Sequence, residues 1–212
     1  PLAEESGLIL EMEDWVFKRT LDQILKWRIS HGFDIQISIN TSPLLWLDDC
    51  SPMKTWFEYM EVAGVMGPAI GIGITECMLM DPGDVIPNRL LEFRDAGVQI
   101  SIDDFGAGIS SLACLKQNEF DFLKINQSVV RDLESDSSDL ALCQSIIVIA
   151  HNLGIKVIAE GVENAQQLEL LKNFGCDYAQ GFLFSRPVPA IEFESLFANN
   201  WQVNWPTQTK TI

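Results

Sequence analysis

The chain has 212 residues, 47% apolar and 21% charged, enough apolar material to bury a sizeable core. Fourteen basic against thirty acidic side chains leave a net charge of −16, which argues against broad binding to a nucleic-acid backbone and so against DNA as a partner. Five scattered cysteines without a C-x-x-C pair argue against a disulfide framework or thiolate zinc site and fit a reducing compartment.

The start, Pro1-Leu-Ala-Glu-Glu, is abrupt, as though cut from something longer. No signal peptide opens the chain and no apolar run reaches membrane-span length. A cytoplasmic location is therefore expected, with any membrane attachment supplied by upstream segments. From Glu4 to Trp27, Leu8, Ile9, Met12, Val16, Phe17, Leu21, Ile24 and Leu25 recur at helical spacing, predicting one amphipathic helix that stops near His31-Gly32. His31 reads as a helix C-terminal residue favoured by the dipole, not as a ligand.

Asp34 to Asn40 alternates like a strand, and Ser51-Pro52 opens a helix to about Ala63. Ala69 to Glu76 is a strand with two interior glycines, a pattern that predicts a bulge or a lost side chain. A helix from Asp81-Pro82 is stopped by Gly97. Val98, Ile100 and Ile102 then alternate into the acidic pair Asp103-Asp104 and the turn Phe105-Gly-Ala-Gly108. Ser110 to Asn118 reads as a short helix and Asp121 to Ile125 as a strand containing Lys124. Asp132–Asp139 is a solvated acidic run. A helix from Ser138 to Leu153, a strand Lys156 to Glu160, a helix Ala165 to Phe174 and a strand-like Asp177 to Gln180 follow. Glu192 to Phe197 is a last helical stretch, ahead of a polar tail.

Strand and helix alternate throughout, which calls for a parallel sheet covered by helices. Asn40, Asp103, Asp104, Lys124, Glu160 and Gln180 fall at or near the C-terminal ends of successive predicted strands. A (β/α) barrel gathers those ends at one mouth. A doubly wound sheet would usually carry a glycine-rich phosphate fingerprint after its first strand, and none is present. The expected fold class is α/β, a TIM-like barrel.

Carboxylates and an amide oxygen are hard ligands suited to Mg²⁺ or Mn²⁺. Two such ions are a recurrent device for in-line attack of water on a phosphodiester, with a lysine nearby to hold the water or stabilise charge. The rival is a Schiff-base aldolase with Lys124 as nucleophile and Asp104 or Glu160 as acid–base. It is disfavoured because so many acids around one lysine keep it protonated.

The residues also carry a family pattern: Pro1-Leu-Ala-Glu-Glu-Ser-Gly-Leu-Ile9, Asn40-Thr-Ser-Pro43, Ile74-Thr-Glu76, Ile102-Asp-Asp-Phe-Gly106, Leu123-Lys-Ile125, Val157-Ile-Ala-Glu-Gly-Val-Glu163 and Gly175 to Pro187. In this order and spacing the chain resembles an EAL domain, the bacterial cyclic-di-GMP-specific phosphodiesterase family. The resemblance implies a TIM-like barrel with one antiparallel strand and Mg²⁺- or Mn²⁺-dependent cleavage of cyclic-di-GMP to pGpG. It makes Asn40, Asp103 and Asp104 metal ligands, with Lys124 at the attacking water and Glu160 beside the metals. Asp104 and Gln180 would also face substrate, Arg186 would contact guanine or phosphate, and Glu76 would anchor the loop after the aspartate pair. It implies one barrel domain over 1–197, lacking its first strand or strands, and a tail over 198–212.

Four departures qualify that pattern. The strand bearing the family's Glu-Ala-Leu signature, with its glutamate ligand and nearby arginine, is expected upstream of residue 1. A family metal-binding glutamate is Gly73, and a carboxylate near the second metal is Asn126. The loop reads Asp104-Phe-Gly-Ala-Gly-Ile109, without the family's threonine and tyrosine. The expectation is therefore a degenerate EAL domain that binds cyclic-di-GMP as a receptor, with no resident metal. The alternatives are an active phosphodiesterase using Mg²⁺ or Mn²⁺, or a scaffold independent of nucleotide. Expected partners are cyclic-di-GMP, a neighbouring sensor or GGDEF-type domain or signalling protein, and a second copy in a homodimer.

Overall fold

The computed structural model describes residues 2–32, 35–48, 51–65, 67–79, 85–107, 115–116 and 119–198. The chain divides into two compact units: 1–103 with 110–122, and 104–109 with 123–212.

The first unit opens with α1 (Leu2–Glu5) and α2 (Leu8–His31), where one continuous helix was expected. The break is Gly7, whose φ of 73° lies in the left-handed region and cannot be carried through an α-helix. Helix α2 ends as expected, with the Gly32 N–H donating to the Arg28 carbonyl at 3.1 Å. Its buried stripe is Glu13, Phe17, Leu21, Ile24 and Trp27, one residue in every turn. Then come β1 (Ile37–Asn40), α3 (Pro43–Leu47), α4 (Met53–Ala63), β2 (Ile70–Thr75), α5 (Val85–Asp95) and β3 (Gln99–Phe105).

Strands β1, β2 and β3 are parallel neighbours in that order. Strand β2 keeps a regular register, with Gly71 opposite Ser38 and Gly73 opposite Asn40. Its interior glycines therefore mark missing side chains, not the alternative of a bulge. Helix α3 was not foreseen. Proline at its first position and two carbonyl bonds from Arg89, to Leu45 at 2.8 Å and Asp48 at 2.9 Å, hold this five-residue turn. Phe17 stacks on Trp56 at 4.0 Å between centroids, and Trp46 and Phe57 tilt against Phe93.

The last two residues of β3 belong to the second unit, with β4 (Phe122–Ile125, from Leu123 onward), α6 (Gln127–Arg131), α7 (Ser137–Asn152), β5 (Lys156–Glu160), α8 (Ala165–Asn173), β6 (Tyr178–Gln180) and α9 (Ala190–Ala198). Strands β5 and β6 are parallel, with Glu160 opposite Gln180. Helix α8 starts in a capping box. Asn164 accepts the Gln167 N–H at 2.9 Å, and Gln167 Oε1 accepts the Asn164 N–H at 3.3 Å. Cys143 and Cys176 are buried small apolar groups, and burial pushes each thiol up to about 12.

Most of the predicted helix over 110–118, the start of the helix at 81–84, and tail residues 199–212 lie outside the described residues. Among the described residues no helix is long and apolar enough to cross a membrane.

Candidate functional site

Arg186 lies in the irregular segment between β6 and α9, and every other expected site residue lies at, or within two residues of, the end of an element. In the first unit Asn40 is the exposed last residue of β1, opposite Gly73 in β2. Asn40 is followed by a tightly held turn. Thr41 donates its hydroxyl to the Gly73 carbonyl at 2.7 Å, and the Trp46 indole N–H donates to the Thr41 hydroxyl at 2.8 Å. Ser42 gives its N–H and its hydroxyl to the two oxygens of Glu13, at 2.5 and 3.1 Å.

Glu13 was not among the expected site residues. A carboxylate on the apolar stripe of a helix is the sequence signal that could have marked it. Burial pushes its pKa above the ordinary carboxylate value, and the two Ser42 bonds pull the other way. Its two bonds hold Ser42, in the turn that follows Asn40.

Asp103, 7% exposed in β3, accepts the Ser101 hydroxyl at 2.9 Å. Its carboxylate lies over Gly73. A Cβ built on Gly73 would fall 2.8 Å from Asp103 Cγ, far inside van der Waals contact. The space of the missing side chain is taken by the aspartate. Glu76, 9% exposed, starts a 3₁₀ turn after β2. Most of the loop it was expected to anchor lies outside the described residues.

In the second unit Asp104 is exposed and has a φ of 61°, alone among the described non-glycine residues in being positive. Asn126 donates to its Oδ1 at 2.6 Å. Lys124, 5% exposed in β4, has its ammonium 3.6 Å from the carboxylate of Glu160 at the end of β5. That ion pair gives no support to a Schiff-base lysine. Gln180 and Arg186 line one cleft of about 760 Å³, whose other walls include Phe182, Phe184 and Phe193. The Arg186 guanidinium stacks 4.4 Å from the centre of the Phe182 ring. A cationic plane on an aromatic beside an amide suits a flat, hydrogen-bonding, anionic ligand.

Within each unit taken by itself, the donors for a divalent ion are few. Asn40, Asp103 and Asp104 retain oxygen donors. Gly73 offers none, however, and Asn126 turns toward Asp104 an N–H₂ group, which is itself no cation ligand. Among the described residues no group of three or more His, Cys, Asp or Glu side chains is placed to hold a metal.

The family model for the EAL domain matches residues 1–187. The signalling protein YkoW of Bacillus subtilis is 37% identical over 196 residues, covering 91% of this chain and 24% of YkoW. The cyclic di-GMP phosphodiesterase NbdA of Pseudomonas aeruginosa is 35% identical over 193 residues, again 91% of this chain and 24% of the relative. The chain thus spans about a quarter of the length of these curated relatives.

Among solved structures, the PaMucR phosphodiesterase in complex with c-di-GMP aligns with a TM-score of 0.85 and 34% identity, over 91% of this chain and 78% of the other. Klebsiella pneumoniae BlrP1, in a manganese and c-di-GMP complex, aligns with a TM-score of 0.73 and 30% identity, over 85% of this chain and 44% of the other. The fold is of the α/β, TIM-like barrel class that the strand–helix alternation predicted. The chain belongs to the EAL domain family.

Proposed function

We propose that this EAL domain binds cyclic-di-GMP without turning it over at a useful rate. As a receptor it passes the bound state to a neighbouring domain of a longer signalling protein, or to a partner. The ligand class is suggested by the relatives named as cyclic-di-GMP phosphodiesterases and by the nucleotide in the PaMucR complex. One observation carries the loss of turnover: at the two positions without family carboxylates, the remaining aspartates are engaged by the protein. Asp103 fills the space over Gly73, and Asp104 is bonded to Asn126.

Binding would fall to the cleft where Gln180 offers an amide and Arg186 a guanidinium seated on Phe182. Lys124 supplies a cation in the second unit, held in place by Glu160. A second reading, a Mg²⁺- or Mn²⁺-dependent phosphodiesterase releasing pGpG, is favoured by Asp103, Asp104 and that Lys124–Glu160 pair, all of which are kept. BlrP1, a single structural neighbour solved once with manganese and once with calcium, supports that reading.

Calorimetric titration with cyclic-di-GMP, followed by chromatography of the same mixture, decides between the readings. The expected result is saturable binding with the nucleotide recovered intact in Mg²⁺, Mn²⁺ or Ca²⁺. Rapid appearance of pGpG overturns the receptor reading. No heat of binding, in a protein extended upstream of Pro1, leaves only a scaffold. Replacing Arg186 by Ala should weaken binding by roughly 10-fold or more if its charge meets a phosphate or base edge.

A further inference from the structure

Asn126 is more than a vacated ligand position. Its carboxamide bonds at both ends. The oxygen accepts the Ser128 N–H at 2.8 Å and so caps α6, which fixes the nitrogen as the end that meets Asp104. That nitrogen donates to Asp104 Oδ1 at 2.6 Å. The Asn126 backbone N–H adds a third tie, to the Phe105 carbonyl at 3.1 Å. Asp104, Phe105, Asn126 and Ser128 all belong to the second unit.

Asp104 is a junction that has to be held. It adopts a left-handed φ of 61° where β3 gives way to a turn closed by the Ala107 N–H on the Asp104 carbonyl, 3.3 Å away. A carboxylate at position 126 would keep the cap on Ser128 but bring a second negative oxygen against Asp104. Two carboxylates at such a separation repel each other, and a cation between them relieves that repulsion. The amide removes that repulsion by presenting a donor.

We infer that Asn126 does at Asp104 the work that a bound cation would otherwise do, so that this strand-to-loop junction is assembled without divalent metal. Gly73 points the same way from the first unit, because the carboxylate of Asp103 is settled over it with Ser101 as its donor. A corollary, which rests on the proposed receptor function, is that cyclic-di-GMP binding survives removal of metal by a chelator.

The test needs no nucleotide. Thermal unfolding is followed in EDTA and in millimolar Mg²⁺ or Mn²⁺, and Mn²⁺ binding is titrated by electron paramagnetic resonance. The natural protein should melt at the same temperature in all three media and show no Mn²⁺ site that depends on Asp104. Asn126→Asp should melt lower in EDTA, by roughly 3–6 °C, recover with Mn²⁺, and acquire a Mn²⁺ site that Asp104→Asn abolishes. Asn126→Ala should be destabilised equally with and without metal, separating a lost bond from an uncompensated charge. If Asn126→Asp does not fold in EDTA, refolding it with and without Mn²⁺ reads the same difference.

A Mn²⁺ site in the natural protein that vanishes in Asp104→Asn overturns the inference, as does an Asn126→Asp variant indifferent to metal. Calorimetry in EDTA is the separate arm. Absence of nucleotide binding there, in a protein without a Mn²⁺ site, removes the receptor reading and leaves the role of Asn126 intact.

Discussion

At Glu13 a carboxylate occupies a place on α2 that its neighbours Phe17 and Leu21 fill with apolar side chains. Its folded pKa is raised, so the folded chain holds that proton more tightly than the unfolded chain does. The resulting stability is fully present below the unfolded value and is lost as pH rises through the raised folded value. Glu13→Gln lacks this loss. Its stability relative to the natural protein should increase between about pH 4 and pH 7, as read by urea midpoints of both proteins across that range. A difference that shrinks over the same range would mean that the Ser42 bonds outweigh burial. Gly73 allows a sharper trial. Gly73→Ala must push the Asp103 carboxylate off its Ser101 bond and should cost about 1–3 kcal/mol in denaturation. The identities of Asp103, Asp104, Gly73 and Asn126 were all legible in the sequence as kept or missing acids. That an amide had closed on Asp104 was not legible, because the bond spans 22 residues and depends on how β4 and the turn after β3 are placed.

At the scale of elements, the strands and long helices were readable because their periods are simple, alternation in β2 and β3 and a stripe along α2. The misreadings have local causes. Gly7 splits the first helix, and α3 is too short for periodicity to reveal, since its ends are secured by a proline and by an arginine 44 residues away. Two aspartates illustrate a bond that sequence cannot assign. Asp121, before β4, accepts the Ile100 N–H of β3, and Asp177, before β6, accepts the Val157 N–H of β5, each at 2.8 Å. Each carboxylate satisfies a backbone donor at the start of another strand. Packing of α2 on α4 rests on Trp56, fully buried, stacked on Phe17 and bonded through its indole N–H to Asp14 at 3.0 Å. Trp56→Ala should destabilise the protein by about 3–5 kcal/mol in urea or thermal unfolding. A loss below 1 kcal/mol would place the support of this helix pair elsewhere.

For the molecule as a whole, a charge of −16 sets the terms on which any anionic ligand arrives. Cyclic-di-GMP carries two phosphates, so long-range repulsion opposes its approach and salt screens that repulsion. Association in stopped flow should accelerate as sodium chloride rises from about 50 to 300 mM, over which the Debye length falls below about 10 Å. Slowing would mean that Lys124 and Arg186 dominate the local field. The domain also spans about a quarter of its curated relatives, and one of these, MucR, is named as both diguanylate cyclase and phosphodiesterase.

The buried thiols of Cys143 and Cys176, pushed up to about 12, give the second unit a chemical clock. A protonated, inaccessible thiol scarcely reacts with iodoacetamide near neutral pH. Alkylation at these two positions, resolved by peptide mass spectrometry, therefore counts openings of that unit alone. Run with and without cyclic-di-GMP, the same count would register a ligand as slower labelling, with no engineered probe.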